Sequence, residues 1–270
     1  MLRECLLALA FVIITCSEVA AASSDIVYDL SDDAIVKSAN PYEQRPVASL
    51  TKLMTALVVV ESMPAWKDSV TYKGHIWPNK KVTKLELLES LLIKSDNLAA
   101  EALADAWPSG RAAFISEMNA KAQQLKMFST SYEDPSGLGK GNISTVTDQS
   151  RLVMEIAKYP IIKEISTSKF LEVESRTKQK IRKIHFNNTN QKLLFEFDNI
   201  ILSKTGFTNP AGRCLALLVE KGTHTYAIVI LGEKTPLSRE NQARHLINRY
   251  VTIVEPKVEN DGSGFYLLNF

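Results

Sequence analysis

Cysteine is almost missing from this chain: 270 residues carry only Cys5, Cys16 and Cys214. The first two lie in the N-terminal stretch treated below as a cleaved leader, so Cys214 is left alone and no internal disulfide is expected. It opens the apolar run Cys214-Leu-Ala-Leu-Leu-Val219, which predicts a packing role rather than a reactive thiol. Histidine is sparse too. His75, His185, His224 and His245 show none of the spacings that gather metal ligands, so zinc chemistry is disfavoured and no metal or cofactor is expected. An excess of one charge is also lacking. The formal net charge is +2, and no Lys/Arg block is dense enough to line a nucleic-acid groove, so nucleic acid is not an expected partner. No apolar run reaches the ~20 residues of a membrane-spanning helix. Internal repeats, low-complexity segments and a Gly-x-Ser-x-Gly elbow are all absent from the sequence.

With 45% hydrophobic and 23% charged residues, the chain buries a sizeable core and is expected to form one domain. Met1-Leu-Arg3, the apolar stretch Cys5 to Thr15, Ser17 and the small-residue run Ala20-Ala21-Ala22 read as an export signal cleaved near Ala22. Thr15 before Cys16 is larger than the small residue that precedes a lipidated cysteine. The expected organisation is a signal peptide at 1–22, one folded domain at 23–255 and a tail at 256–270. Pro256, Gly262 and Gly264 break that tail too often for an amphipathic anchor. The expected location is the periplasm, with no stable membrane anchor after signal removal.

Ile26-Val-Tyr28 and Ala34-Ile-Val36 flank the turn-forming Leu30-Ser-Asp-Asp33 and predict two short strands. From Ser49 onward, Leu50, Leu53, Met54, Leu57 and Val58 recur at helical spacing. Ala56, Val59 and Val60 make that helix apolar nearly all round, so it belongs inside the core, with Pro64 beyond its end. Further helices are predicted over 84–94, 98–106, 111–125 and 148–158, then strands over 203–205, 214–220 and 225–231, then a closing helix over 240–250. This order predicts an α/β protein of the α+β type. Its antiparallel sheet is flanked by helices, its first and last strands meet in space, and a helical lobe is inserted between them.

Three short motifs follow one another: Ser49-Leu-Thr-Lys52, Ser95-Asp96-Asn97 and Lys204-Thr205-Gly206. Ser-x-x-Lys also occurs at Ser166/Lys169 and Ser175/Lys178, though on no comparably apolar helix. Around Ser49, a lysine three residues on shares the serine's helix face, and burial favours its neutral amine, a competent base for a nucleophilic hydroxyl. The alternative is a serine N-cap beside a lysine whose head group reaches solvent. Ser95 and Asn97 sit at a break between helical patterns, where helix capping is the alternative. In the catalytic reading the Ser95 hydroxyl relays a proton, the Asn97 amide holds Lys52 and a substrate carbonyl, and Asp96 points away and caps. Lys204 and Thr205 offer a cation and a hydroxyl to a substrate carboxylate, and Gly206 clears room for a peptide beside the strand. The Phe207 N–H is expected to join the Ser49 N–H in an oxyanion hole. An exposed strand lysine before a turn is the alternative there.

Ala48-Ser-Leu-Thr-Lys-Leu-Met-Thr55, Lys94-Ser-Asp-Asn97 and Lys204-Thr-Gly-Phe-Thr-Asn209 resemble the low-molecular-mass penicillin-binding proteins, the serine D-alanyl-D-alanine peptidases of peptidoglycan. The resemblance spans roughly residues 24–250. Met118-Asn-Ala-Lys-Ala122, Asp134-Pro-Ser-Gly-Leu138 and Asn187-Asn-Thr-Asn190 are similar to the short periplasmic D-alanyl-D-alanine endopeptidase branch. The resemblance implies a β-lactamase/DD-peptidase-like fold. It also implies Ser49 as acylated nucleophile, Lys52 as base, Ser95 and Asn97 as residues of the second element, and Lys204 and Thr205 as carboxylate binders. Arg239 stands where carboxypeptidase relatives carry an arginine that contacts the terminal carboxylate, a surface ion pair being the alternative. The implied partners are peptidoglycan stem peptides, with β-lactam antibiotics as covalent inhibitors. Endopeptidase action on cross-links is the expectation and carboxypeptidase action on pentapeptide stems the alternative. A β-lactamase needs a deacylating base, and no Glu-x-x-Leu-Asn segment lies between Asn97 and Lys204. A non-catalytic wall-binding protein is disfavoured by the intact Ser49, Lys52 and Lys204.

Overall fold

The computed structural model describes residues 22–62, 65–77, 81–176 and 181–251. The predicted signal peptide, apart from its last residue, and Pro64 and the 256–270 tail lie outside them. Strands β1 (Ser24–Asp29) and β2 (Ala34–Ala39) form a hairpin whose turn is closed by the Asp29 carboxylate accepting from the Ser31 and Asp32 backbone N–H groups. After β3 (Arg45–Pro46), a 3-10 turn at Ala48–Leu50 leads into α1 (Thr51–Ser62). The β4 (Ser69–Thr71) and β5 (Lys81–Thr83) pair precedes α2 (Lys84–Glu89), a π-helical stretch at Ser90–Lys94, α3 (Asn97–Asp105) and α4 (Gly110–Gln124). Next come β6 (Ile143–Ser144), α5 (Val146–Ile156), α6 (Pro160–Thr167), the hairpin β7 (Phe170–Arg176) and β8 (Ile181–Asn187), and α7 (Gln191–Glu196). Strands β9 (Ile200–Thr208), β10 (Gly212–Lys221) and β11 (His224–Glu233) and helix α8 (Pro236–Tyr250) complete the fold.

The main sheet has the antiparallel order β2-β1-β11-β10-β9, so the first hairpin joins the last strands as the sequence predicts. Ile26 stands opposite Val229 in that closing pair. Both faces of the sheet are covered, which is why β10 and β11 read as apolar runs without alternation. On one face Leu215, Leu217, Ile228 and Ile230 meet Ala243, Leu246 and Ile247 of α8. On the other, Ala216, Leu218, Ala227 and Val229 share a core with Leu50, Leu53, Met54 and Leu57. Burying each such aliphatic side chain stabilises the fold by about 1.5–3 kcal/mol. Cys214 belongs to this second core, and burial pushes its thiol pKa up to about 11, as befits a packing cysteine.

Several elements depart from the sequence expectation. The helix predicted over 84–94 changes to π geometry at Ser90, which ends the segment in a left-handed Ser95. The β7–β8 hairpin and α6 were not predicted. In β7, Leu171 and Val173 point inward and Glu172 and Glu174 outward, an alternation legible only over a few residues. Helix α6 is short and rich in isoleucine, so its helical start at Pro160 is hard to tell from a strand. Among the described residues Asp29, Asp32 and His224 bring potential ligand atoms within 4.8 Å of one another, an arrangement built by the turn closure and by a 2.8 Å Asp29–His224 pair.

Candidate active site

Ser49 lies in the 3-10 turn rather than in α1 itself, two residues before the helix begins. The preceding Ala48 is left-handed at φ +46°, a conformation that costs a residue with a side chain about 1–2 kcal/mol. Two glycines brace this turn. A Cβ on Gly137, itself at φ +83°, would fall 1.9 Å from the Ala48 carbonyl oxygen, and one on Gly206 would fall 3.1 Å from both the Ser49 nitrogen and the Val47 oxygen. Gly206 thus lets strand β9 lie close against the nucleophile's turn.

Lys52, in the first turn of α1, is fully buried among apolar neighbours. Its Nζ lies 2.9 Å from Ser49 Oγ and donates to Asn97 Oδ1 at 2.7 Å and to the Ser136 carbonyl at 2.5 Å. Burial brings its pKa down to about 7, against the opposing pull of Asp134, Asp96 and Glu101. The Ser136 carbonyl is presented by a tight loop. The Asp134 carboxylate accepts from the N–H groups of Ser136, Gly137 and Gly139, from the Ser136 hydroxyl and from the Asn142 amide.

The second motif bridges two lysines. Ser95 ends the π-helical stretch at φ +62°, and its hydroxyl accepts from Lys204 Nζ at 2.8 Å. Asn97, two residues on, accepts from Lys52. Between them Asp96 turns away, as expected, capping α3 through the Leu98 N–H and accepting from the Tyr72 hydroxyl at 2.5 Å. Lys204 is fully buried and also donates to the Thr205 carbonyl. Burial, then the nearby Lys52 and Arg239 charges, hold its pKa well below the ordinary lysine value.

The strand register of β9 and β10 assigns the neighbours to faces. Lys204 pairs with Ala216 on the α1 side, whereas Thr205 pairs with Leu215 on the α8 side. The Thr205 hydroxyl donates to Thr189 Oγ1 at 2.7 Å. Phe207 is exposed, with the Arg213 guanidinium 3.5 Å from its ring centre. Arg239 is only 6% exposed, which removes the surface ion-pair alternative, and its contact with Glu240 is long at 3.8 Å.

The structure thus gathers Ser49, Lys52, Ser95, Asn97 and Lys204 through direct contacts and sets Thr205 and Gly206 on the adjoining strand. Sequence reasoning did not assign roles to Ser136, Asp134, Gly137, Thr189 or Tyr72. The first four fall in Asp134–Leu138 and Asn187–Asn190, segments marked by resemblance alone. Tyr72 carried no signal.

Comparison with known proteins agrees with this geometry. The peptidase S11 family, described as D-alanyl-D-alanine carboxypeptidase, matches residues 13–235. The chain is 34% identical over 222 residues to the D-alanyl-D-alanine endopeptidase of Escherichia coli, covering 78% of this chain and 71% of that protein. It is 35% identical, with the same coverage, to the D-alanyl-D-alanine endopeptidase of Pseudomonas aeruginosa. It is similar to the crystal structure of penicillin-binding protein D2 from Listeria monocytogenes in its ampicillin-bound form, with a TM-score of 0.75 and 26% identity over 84% of this chain and 96% of that one. With three motifs converging on one buried lysine and these relatives at hand, the chain belongs to the S11 family of serine D-alanyl-D-alanine peptidases.

Proposed function

We propose that this protein is a periplasmic D-alanyl-D-alanine endopeptidase that cuts the D-alanyl bond of peptidoglycan cross-links through a Ser49 acyl-enzyme. The observation that carries the reading is the shell of Lys52. A neutral amine has two N–H groups and one lone pair. The carbonyls of Asn97 and Ser136 take the two N–H groups, so the lone pair is directed at the Ser49 hydroxyl. With a pKa of about 7, the amine is substantially neutral at neutral pH.

Ser49 Oγ attacks the D-alanyl carbonyl carbon as its proton passes to Lys52. The oxyanion is received by the Ser49 and Phe207 N–H groups; losing one such donor costs about 3 kcal/mol of transition-state stabilisation. Ser95, held by Lys204, passes its proton to the leaving amine as the C–N bond breaks and takes one back from the Lys52 ammonium, which returns to the neutral amine. Water then attacks the ester carbonyl, Lys52 takes its proton, and that proton passes to Ser49 Oγ as the ester C–O bond breaks and the acid is released. Lys204, Thr205 and Arg239 receive the carboxylate beside the leaving amine, and Asn97 offers its amide N–H to a substrate carbonyl. No step needs a metal.

Residues 1–22 serve as the export signal in this reading, with 23–255 as the catalytic domain. Among the described residues no helix is long and apolar enough to cross a membrane. β-Lactams enter the same site as acylating inhibitors. Treatment with benzylpenicillin is expected to add one drug mass on Ser49, persisting for hours without a dedicated deacylating base. Absence of the adduct, its location on another residue, or rapid penicillin turnover overturns the reading. Purified protein is further expected to convert cross-linked muropeptide dimers to monomers with little D-alanine release from pentapeptides. Release of D-alanine alone favours the carboxypeptidase activity for which the family is described.

A further inference from the structure

Two guanidinium groups on the α8 face of the sheet, beside the predicted carboxylate binders, have hydrogen-bonding capacity that nothing uses. Arg239, Ala243 and Ile247 follow one another at helical spacing, and the last two lie against Leu215 and Leu217, so Arg239 faces the sheet one turn further toward its end. Cross-strand pairing puts Thr205 opposite Leu215 and Phe207 opposite Arg213 at that same end. Arg239 is more than nine-tenths buried, yet its Nε has no hydrogen-bond partner, and its contact with Glu240 is too long for one. Arg213 Nε is likewise buried and unpartnered. Glu233 stands opposite Arg213 in the β10–β11 register, but among the described residues the Arg213 side chain makes neither a hydrogen bond nor an ion pair. Its guanidinium lies over the exposed Phe207 ring.

A guanidinium stacked flat on an aromatic ring keeps its in-plane N–H groups free and fixed in direction, the geometry suited to a carboxylate. Burial lowers the Arg239 pKa against the pull of the Glu240 carboxylate, and the nearby Arg213 charge adds to the lowering. Resting on the endopeptidase reading above, we propose that Arg213, braced by Phe207 and lying beside Arg239, forms a second anion subsite that binds a carboxylate of the leaving peptide beyond the one received at Lys204, Thr205 and Arg239. The leaving group of a pentapeptide is a single D-alanine, which has one carboxylate and ends there. The leaving half of a cross-link is a whole stem peptide with further carboxylates. From β10, opposite Phe207, which lies two residues along β9 from Thr205, Arg213 therefore selects cross-links over pentapeptides.

The test compares wild type with Arg213→Met, which keeps the stem on the Phe207 ring, and with Arg213→Lys, which keeps the charge without the fork. Formation of the benzylpenicillin adduct on Ser49 shows that each variant is folded. The expected result is a loss of about tenfold or more in kcat/KM for dimer cleavage by Arg213→Met, as for a lost charge-assisted hydrogen bond, a smaller loss for D-alanine release, and partial recovery in Arg213→Lys. Equal losses on both substrates, or none on dimers, overturn the subsite. An independent arm uses the leaving half itself. A free stem tetrapeptide is expected to slow penicillin acylation of wild type more than D-alanine does, and Arg213→Met should erase the difference. If wild type cleaves no dimer but this protection holds, the endopeptidase reading falls and the subsite stands. If the tetrapeptide protects no better than D-alanine, the subsite is wrong whatever the enzyme cleaves.

Discussion

Lys52 and Lys204 are both fully buried, and both have their pKa lowered by burial, yet their surroundings differ in kind. Lys52 faces two carbonyl oxygens and a serine hydroxyl, and the charges that act on it are those of Asp134, Asp96 and Glu101. Lys204 faces one hydroxyl and one strand carbonyl, and the charges that act on it are the cations Lys52 and Arg239. Burial lowers the Lys52 pKa and the acids check that fall at about 7, which leaves the amine poised between its two forms. The cations leave Lys204 in a field that only an arriving anion relieves. A buried lysine thus becomes a base or an anion receptor according to the sign of the charges around it.

Replacing Lys52 makes the largest break in this comparison. Lys52→Met is expected to slow penicillin acylation by about 10²–10⁴-fold, the range for losing a positioned general base. The pH profile adds a second criterion. The neutral amine is the competent form, so the wild-type rate should fall as pH drops through about 7, and Lys52→Met should lose that limb. Stopped-flow or quenched mass spectrometry across pH 5–9 (roughly, two units either side of 7) reads both effects. Stability carries the same sign. Between about 7 and the ordinary 10.5 the unfolded chain binds a proton at Lys52 that the folded protein does not, so this lysine makes stability rise with pH across that window. A Lys52→Met protein that acylates at the wild-type rate would abolish the distinction between the two lysines.

Lys204 should give a smaller and differently shaped loss. Lys204→Gln keeps an amide donor for Ser95 but removes the cation, and a drop of about 10- to 100-fold in acylation is expected, as for a lost charge-assisted hydrogen bond. The limb near pH 7 should survive, because Lys52 still supplies it. Loss of that limb in Lys204→Gln would show that the two lysines titrate as one coupled pair rather than in separate roles.

How much of this was legible in the sequence follows from where the chemistry resides. Ser49, Lys52, Ser95, Asn97 and Lys204 carry it in their side chains, and their residue types and spacing mark them. The α1 core was equally visible, since Leu50, Leu53, Met54 and Leu57 repeat at helical intervals around Lys52. The third group on Lys52 is a backbone carbonyl, that of Ser136, and any residue supplies one. What specifies it is the Asp134 carboxylate folding its own loop, a local act without periodicity. The left-handed conformations of Ala48 and Ser95 were hidden for a related reason. Neither residue is a glycine, and both are held there by contacts from segments distant in sequence. Arg239 shows the same limit from the other side: its place in the chain left a carboxylate contact and a surface ion pair both open, and it is the packing of α8 on β10 that buries it.

The smallest expected effect concerns the hinge between the two lysines. Ser95 touches Lys204 and Asn97 touches Lys52, so the turn joining them sets the distance between base and proton relay. Asp96 anchors that turn from outside, through the Leu98 N–H and the Tyr72 hydroxyl. Tyr72→Phe keeps the buried ring and the cap but deletes the hydrogen bond to the Asp96 carboxylate and a longer one accepted from the Ile76 N–H, so stability should fall by about 1–2 kcal/mol. Acylation should slow only a few-fold, because Lys204 still holds Ser95 in its left-handed conformation. Melting temperature and penicillin acylation rate, measured together, separate the contributions. Unchanged stability would mean that the Tyr72 contact is not holding the turn. A rate loss as large as that of Lys204→Gln would mean that Ser95 is held mainly from the Tyr72 side, and the relay would then depend on the helical lobe rather than on strand β9.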